Sequence, residues 1–591
     1  MFSARNDSNL LAASGWTGRL PAGVTLLAWA VNFFLLAPTL LPGQQPESNP
    51  AQSETNRIAD QAEKNEQDAN ATSATSETND ELPKYATWRF GDYGDDAAAN
   101  GIYRLAYSPN GKFLATRNQE NTIAVYDVAK RNLLCEIDGH EYRVTSLQFA
   151  PDSQTLMTSA KGLDEKIKIW EPMTGKLIRE IDVESTHSIF SENGRWIFAL
   201  QREHVSKFDA ANGKLVSKSG FRKGAFQAKA VTRDGRYVFV SHLMSRANIT
   251  KRIDIESESS VILPGPNKLL NAVTVSPDNR WVAATFRDDP RVRLWDMSSP
   301  NDKNYYLAGH KNRAQSIAIS PDNRFLVSTS WDQTSIVWDL VSRSEIGKLE
   351  GHTEHINSSA FAPDSLTVAT GSSGETDSSV IVWDLEKAIF PQPPKELTPD
   401  AFQISWNLLG SSIGRRALDA VNDLRHSNPG DVFEFLGDKL QIDNEAHSSK
   451  SIEKWIADLD SPKYAIRQTA TSRLIQSLAN AESLLRAMLE TDCSPEVRHR
   501  IMQILSQEVV RPPIELNELR RSYRAIHILE LMAAGENSKQ HALDILKRVS
   551  LGHRHLDIAR EAASAAKRIS ERNSKRVSND APNSATQDSK Q

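Results

Sequence analysis

One motif recurs seven times at near-constant spacing, and it constrains the fold more than any other feature of the chain. Each copy offers an apolar strand, a tight polar turn, a second apolar strand, and a third strand ending in an acid that follows an aromatic residue. The turns are Ser-Pro-Asn-Gly at 108–111, Ala-Pro-Asp-Ser at 150–153, Ser-Glu-Asn-Gly at 191–194, Thr-Arg-Asp-Gly at 232–235, Ser-Pro-Asp-Asn at 276–279 and again at 320–323, and Ala-Pro-Asp-Ser at 362–365. Their second positions are 42, 41, 41, 44, 44 and 42 residues apart. Proline presets one turn dihedral and Asn, Asp or Gly tolerates the other, which is hairpin chemistry. The third strands end Tyr126-Asp127, Trp170-Glu171, Phe208-Asp209, Trp295-Asp296, Trp338-Asp339 and Trp383-Asp384, with Ile253-Asp254 as the exception in the fourth repeat. A period of about 42 with four short strands predicts a propeller blade, and seven of them a ring.

Three repeats carry more. Gly139-His140, Gly309-His310 and Gly351-His352 are each followed, 18 residues after the His, by Thr158, Ser328 and Thr370. Asp164, Asp332 and Asp377 then stand six residues before Trp170, Trp338 and Trp383. This pattern resembles the WD40-repeat family over about half the chain. The resemblance implies three structural tetrads in which indole, hydroxyl, imidazole and carboxylate are joined by hydrogen bonds across one blade. Repeats three and four lack Gly-His and are the degenerate ones. Closing the ring requires a fourth strand for the last blade. Tyr85–Phe90 precedes repeat one where other repeats have their outer strands, so it is expected to pair with the strand around Ile381–Leu385 and remove an open edge.

Beyond a Pro-rich linker at 391–400, apolar spacing switches to the helical period and stays so over 401–572. Asn428-Pro429, Ser461-Pro462 and Ser494-Pro495 each place a capping residue before a proline at the first helical position. Antiparallel helix pairs stacked as a HEAT-like solenoid are expected; Asp492–Arg498 is similar to a HEAT repeat turn. The Trp406–Leu409 opening and the segment 456–470 also look like those of exported bacterial WD40 proteins with a helical tail. The fold class expected is therefore multidomain β plus α: a seven-bladed propeller at 84–390, then the helical domain, with a disordered tail at 573–591.

Ahead of the propeller, Val24–Leu41 holds no charged residue and is long enough to span a bilayer as a helix. Arg5 and Arg19 precede it, and the next charges, Glu47 and Glu54, are acidic. The positive-inside rule predicts a cytoplasmic tail at 1–21, a signal anchor at 22–42 and the bulk of the protein exported. A cleaved signal peptide and a buried helix are the alternatives. Residues 43–83 are too poor in large apolar groups to fold and read as a tether with a span of about 30–40 Å.

The sequence offers little catalytic chemistry. It contains no GxSxG, P-loop, strand-linked GxGxxG or kinase catalytic loop. Asp92–Asp96 lacks the spacing of a calcium loop. His352 and His355 read as an exposed pair without a third ligand, and His553 and His555 as at best a weak metal pair. Cys135 and Cys493 belong to no cysteine cluster and read as buried free thiols. No cofactor or metal is expected. A net charge of −5 sets up no global pull toward nucleic acid. The basic stretch Lys547–Arg576 reads as a solvated helix face rather than a DNA contact. The family resemblance puts Tyr142, Arg143, Arg313, Trp331 and His355 on one rim of the propeller, and Arg, Trp and Tyr are the types that dominate interface energy. The competing role for Trp331 is an indole folded onto the neighbouring blade. The function expected is non-catalytic protein–protein scaffolding. The alternatives are an enzyme or glycan-binding propeller that uses the central channel, and a cytosolic regulatory scaffold.

Overall fold

A computed structural model describes residues 82–579 apart from internal stretches, of which 94–100, 441–448 and 506–514 are the longest. The described residues form seven antiparallel four-stranded sheets from strands β1–β28 in chain order, followed by helices. The blades span 104–137, 144–182, 187–220, 226–263, 270–307, 314–350 and 355–384. The repeated turns are the local cause. In all seven, the fourth residue (Gly111, Ser153, Gly194, Gly235, Asn279, Asn323 or Ser365) has φ between 59° and 75°. Its N–H donates to the carbonyl of the first residue at 2.8–3.1 Å. Glycine and asparagine tolerate that left-handed conformation, which explains their recurrence there.

The ring closes as the sequence predicts. β1 (Ala86–Tyr93) pairs antiparallel with β28 (Asp377–Asp384), Arg89 facing Ile381, and becomes the outer strand of the seventh blade. The seventh blade also launches the helical region. Leu385–Ile389 (α1) follows β28 directly, capped by Asp384, whose carboxylate accepts from Lys387 N–H at 3.2 Å. The first long helix, α2 (Pro399–Leu409), starts inside the expected linker, with Thr398 at its N-cap. Then come α3 (Gly414–Arg425), α4 (Pro429–Lys439), α5 (Ser449–Asp458), α6 (Tyr464–Gln476), α7 (Pro495–Leu505), α8 (Leu516–Leu531), α9 (Glu536–Gly552) and α10 (Leu556–Asn579). Asn428 caps α4 through Gly430 N–H at 2.9 Å, as its Asn-Pro signature implies.

Two expectations for the C-terminal region need correction. A linear stack would pack each helix on its sequence neighbours, yet α8 lies on α2 and α3, and α9 on α4 as well as α10. α5, α6 and α7 bury a separate core around Ile452, Leu474 and Ile501. The expected tail from 573 begins as helix, because α10 runs to Asn579. Both cysteines are unpaired and half-buried rather than fully buried. Among the described residues no helix is long and apolar enough to cross a membrane; Val24–Leu41 and the tether up to residue 81 lie outside them.

The helices seat on one end of the propeller. A single apolar cluster joins Phe325, Ile346, Trp383 and Ile389 to Phe402, Leu418, Ile528 and Leu546. Gly414 is wedged into this seam: a Cβ there would lie 2.7 Å from Ile346 Cγ2 and from Ser344 Oγ. Around the apolar seam runs a buried ionic layer. Arg524 donates to Asp339 Oδ2 at 2.7 Å and to the Leu409 and Ser411 carbonyls. Arg324 meets Glu530 at 2.7 Å, and Arg568 clasps Glu530 and Glu561 at 2.9 and 2.8 Å. Arg568 belongs to the basic stretch expected to be solvated, so the junction absorbs part of that charge. His527 is buried in the same layer; burial and then the Arg324 charge hold its imidazole well below its usual range, so it is neutral at pH 7.

Removing one partner of a buried ion pair leaves the other charge stranded, at about 3–5 kcal/mol. Arg524→Met is expected at the lower end, about 3 kcal/mol, because Asp339 keeps hydrogen bonds from Val341 and Ser342. Guanidinium denaturation followed by tryptophan fluorescence checks this, and an unchanged midpoint would show that the pair does not hold the junction.

Candidate protein-interaction site

The propeller end away from the helices is held by the tetrads. In the seventh blade, Trp383 Nε1–H donates to Thr370 Oγ1 at 2.7 Å, Thr370 and His352 Nε2 are 2.9 Å apart, and His352 Nδ1 is 2.7 Å from Asp377 Oδ2. The sixth repeats this with Trp338 to Ser328 at 2.8 Å, Ser328 to His310 at 2.7 Å and His310 to Asp332 at 3.2 Å. In the second, Trp170 and His140 meet Thr158 at 2.8 and 2.7 Å, and Asp164 lies outside the described residues. A chain in which every polar member is satisfied can be buried without penalty and fixes one rotamer for each participant. The fifth blade lacks Gly-His, and its Trp295 indole donates instead to the Pro264 carbonyl at 2.9 Å.

Ring closure feeds the last tetrad. Arg89 of β1 lies 3.5 Å from Asp377 and donates to Ser379 Oγ at 3.2 Å. Burial by itself would raise the Asp377 carboxyl. The hydrogen bond and charge of His352, with Ser379, outweigh it and hold the group below the usual carboxylate range. Asp332 is depressed too: burial opposes, while His310, Thr334 and the Lys311 N–H prevail.

Two groups of side chains occupy the rim. On blades six and seven the Arg313 guanidinium lies 3.5 Å from the Trp331 ring centre, and Trp331 stacks on His355 at 4.4 Å and 18°. Trp331 is therefore half-buried and folded onto the neighbouring blade, the competing role, and His355 is half-buried rather than one of an exposed pair. Trp331 Nε1 and His355 Nδ1 have no hydrogen-bond partner among the described residues. On blades one and two, Tyr142 is half-buried and Arg143 exposed.

Sequence reasoning missed Arg143's neighbours. Arg104 of β2 (Arg104–Tyr107) stands directly opposite Arg117 of β3 (Phe113–Arg117). Like charges so placed destabilise a sheet. Arg117 is only 3% exposed, and its Nε lacks an acceptor. Burial, then the charges of Arg104 and Arg143, push its guanidinium below its usual range, and among the described residues Tyr103 opposes them. Arg104 is itself exposed, so the charge of Arg143 rather than burial works against its protonated form, and among the described residues no carboxylate opposes it. The signal was present in the sequence: residues 104 and 117 flank the 108–111 turn, so hairpin pairing sets them face to face. His553 and His555, by contrast, are buried at the start of α10, and the described residues contain no group of three or more potential metal ligands.

Four stretches, 131–171, 257–296, 302–339 and 343–384, match the family model for the WD domain, G-beta repeat. They cover the second, fifth, sixth and seventh repeats; the first and the degenerate third and fourth are unmatched. The chain is 22% identical over 302 residues to a WD repeat-containing protein 26 homolog of Arabidopsis thaliana, covering 48% of this chain and 49% of that one. It is 26% identical over 273 residues to apoptotic protease-activating factor 1 of Danio rerio, 45% of this chain and 21% of that one. It is 29% identical over 234 residues to pre-mRNA-processing factor 19 homolog 2 of Arabidopsis thaliana, 36% and 42% respectively. The chain thus spans about half the length, or less, of these curated relatives. It contains WD40 repeats arranged as a seven-bladed β-propeller, followed by a helical region.

A carboxyl depressed on folding contributes stability that is complete above the unfolded value, near pH 4, and is lost as pH falls through the folded value. Asp377→Asn is therefore expected to lower stability at pH 7, with the gap to wild type narrowing as pH drops below about 4. Urea midpoints between pH 7 and 3 test this, and a constant gap would contradict it.

Proposed function

We propose that this protein is a non-catalytic interaction scaffold whose open propeller rim takes an acidic segment of a protein partner. WD40 propellers in general serve as protein-interaction scaffolds. The observation that carries the reading is the trio of Arg104, Arg117 and Arg143, in which Arg104 and Arg117 stand opposite each other and no carboxylate among the described residues offsets their charge, so that a partner carboxylate would relieve the repulsion. The Arg313–Trp331–His355 stack supplies a half-buried aromatic anchor on the same rim. The helical region offers a second docking surface.

We also propose that the scaffold works outside the cytoplasm on a membrane tether. The uncharged run Val24–Leu41 after Arg5 and Arg19 supports this. Protease added to intact cells should then digest the propeller, whereas full protection would leave the cytosolic alternative.

In-cell crosslinking followed by affinity measurement with the purified partner tests the scaffold. Trp331→Ala is expected to cost about 2 kcal/mol of affinity. Arg143→Ala should slow association and reduce its salt dependence. A partner that binds both variants as wild type would refute the rim assignment.

A further inference from the structure

The junction between propeller and helices encloses a cavity that no scaffolding role uses. It has a volume of about 520 Å³ and lies between the turns of the fifth and sixth blades and helices α3, α8 and α10. Trp281, Tyr305, Leu340, Leu418, Leu519 and Tyr523 provide its apolar lining. That size falls within the range of about 300–1,000 Å³ for small-molecule sites, which favour domain junctions.

Its charges are unevenly matched. Arg280 is held by Asp296 at 3.2 Å, Arg524 by Asp339 at 2.7 Å and Arg324 by Glu530 at 2.7 Å. Arg343 and Arg520, which also line the cavity, have no ion-pair partner among the described residues. Arg520 is 8% exposed, and its Nε has no acceptor. Its Nη1 donates only to Asn517 Oδ1 on the preceding turn of α8, at 3.2 Å. Burial, then the charges of Arg343 and Arg524, work against its protonated form, and Asp339 offsets them only in part. Arg343 sits at the end of a tight turn with φ 58°, its guanidinium 4.1 Å from the Tyr305 ring centre. Among the described lining residues the carboxylate without an ion pair is Asp278, which is exposed and already accepts from Ser276 Oγ and Arg280 N–H within its own turn.

We propose that this cavity binds a small amphipathic anion, its carboxylate, sulfonate or phosphate head between Arg343 and Arg520 and its apolar body against Trp281, Leu418 and Leu519. A buried guanidinium with an unmet donor gains most from a charged acceptor, and apolar walls select a ligand whose remainder avoids water. The site is independent of the rim and stands whether or not the rim docks a protein.

The probe is anilinonaphthalene sulfonate, an aromatic anion that fluoresces in apolar surroundings, titrated into the full chain. Saturable one-to-one binding is expected, displaced by decanoate and not by decanol or decylamine. Arg520→Gln should weaken binding about tenfold, in line with the loss of a charge-assisted hydrogen bond. Leu519→Trp should abolish it by filling the cavity while both arginines remain. Near-UV circular dichroism confirms that each variant keeps its packing, since the probe also binds loosened proteins. Should Arg520→Gln fail to fold, Arg343→Gln carries the same expectation. Absence of saturable binding, equal displacement by decanol, or unchanged affinity in a folded arginine variant would overturn the proposal.

Discussion

Pairing of β1 with β28 joins positions nearly 300 residues apart, as in the hydrogen bond from Thr87 to the Val382 carbonyl with a separation of 295. Propeller blades contact only their neighbours, and without this pairing β28 would be an open edge of the seventh blade and the chain's two ends would not be tied across the ring. The closing strand also brings Arg89 to the Asp377 carboxylate, and with it the third tetrad receives a partly buried cation. From the other side of the same blade, Leu385–Ile389 carries the chain into the apolar seam on which the helices assemble. One blade therefore closes the ring, completes the rim network and anchors the C-terminal region. Its closure carries a large entropic cost that local contacts cannot offset until most of the ring has formed.

Charge pairing separates the parts of the molecule that hold it together from those open to ligands. Where arginines are deeply engaged at the junction they face carboxylates: Arg524 with Asp339, Arg324 and Arg568 with Glu530. Such pairs contribute little net stability against apolar packing, but they penalise any misplacement of the helices severely. At the rim and in the junction cavity the pattern reverses, and arginines stand beside arginines. Such arrangements cost stability and tend to mark functional sites, so their position is informative about ligands in a way that paired residues are not.

The propeller was legible because its determinants are local and repeated. A turn that needs a left-handed fourth residue leaves Gly, Asn or Ser every forty-odd residues, and a tetrad needs fixed spacing along adjacent strands. The edge strand at 85–90 was legible for a related reason, since a ring with one strand missing has a single place to put it. The junction was not legible. Its partners, such as Arg524 and Asp339 or Arg280 and Tyr523, lie 185 and 243 residues apart and belong to no repeat. Nor could helical periodicity reveal which helix packs on which, because an apolar stripe on α8 is equally suited to α7 and to α2. The rim was partly legible. The turn position of Trp331 was clear, but its stacking on His355 depends on how two blades meet.

The strand direction sets the relation between the two candidate sites. In the sixth blade the 320–323 turn and the 339–343 turn meet the helices, while Trp331 occupies the turn at the opposite end of the same strands. Strands of six residues, such as Phe325–Ser330, span about 20 Å. A ligand at the junction therefore cannot compete sterically with a partner on the rim, and any coupling between them must run through the strands themselves. Those strands are among the most buried of the molecule: Leu326, Val327, Ser328 and Val337 are sealed from solvent. A closely packed sheet does not deform gradually to pass a small displacement from one end to the other. The physical expectation is two independent binding surfaces on one rigid body, with the separate core of α5, α6 and α7 as the part of the described chain whose stability is least tied to either.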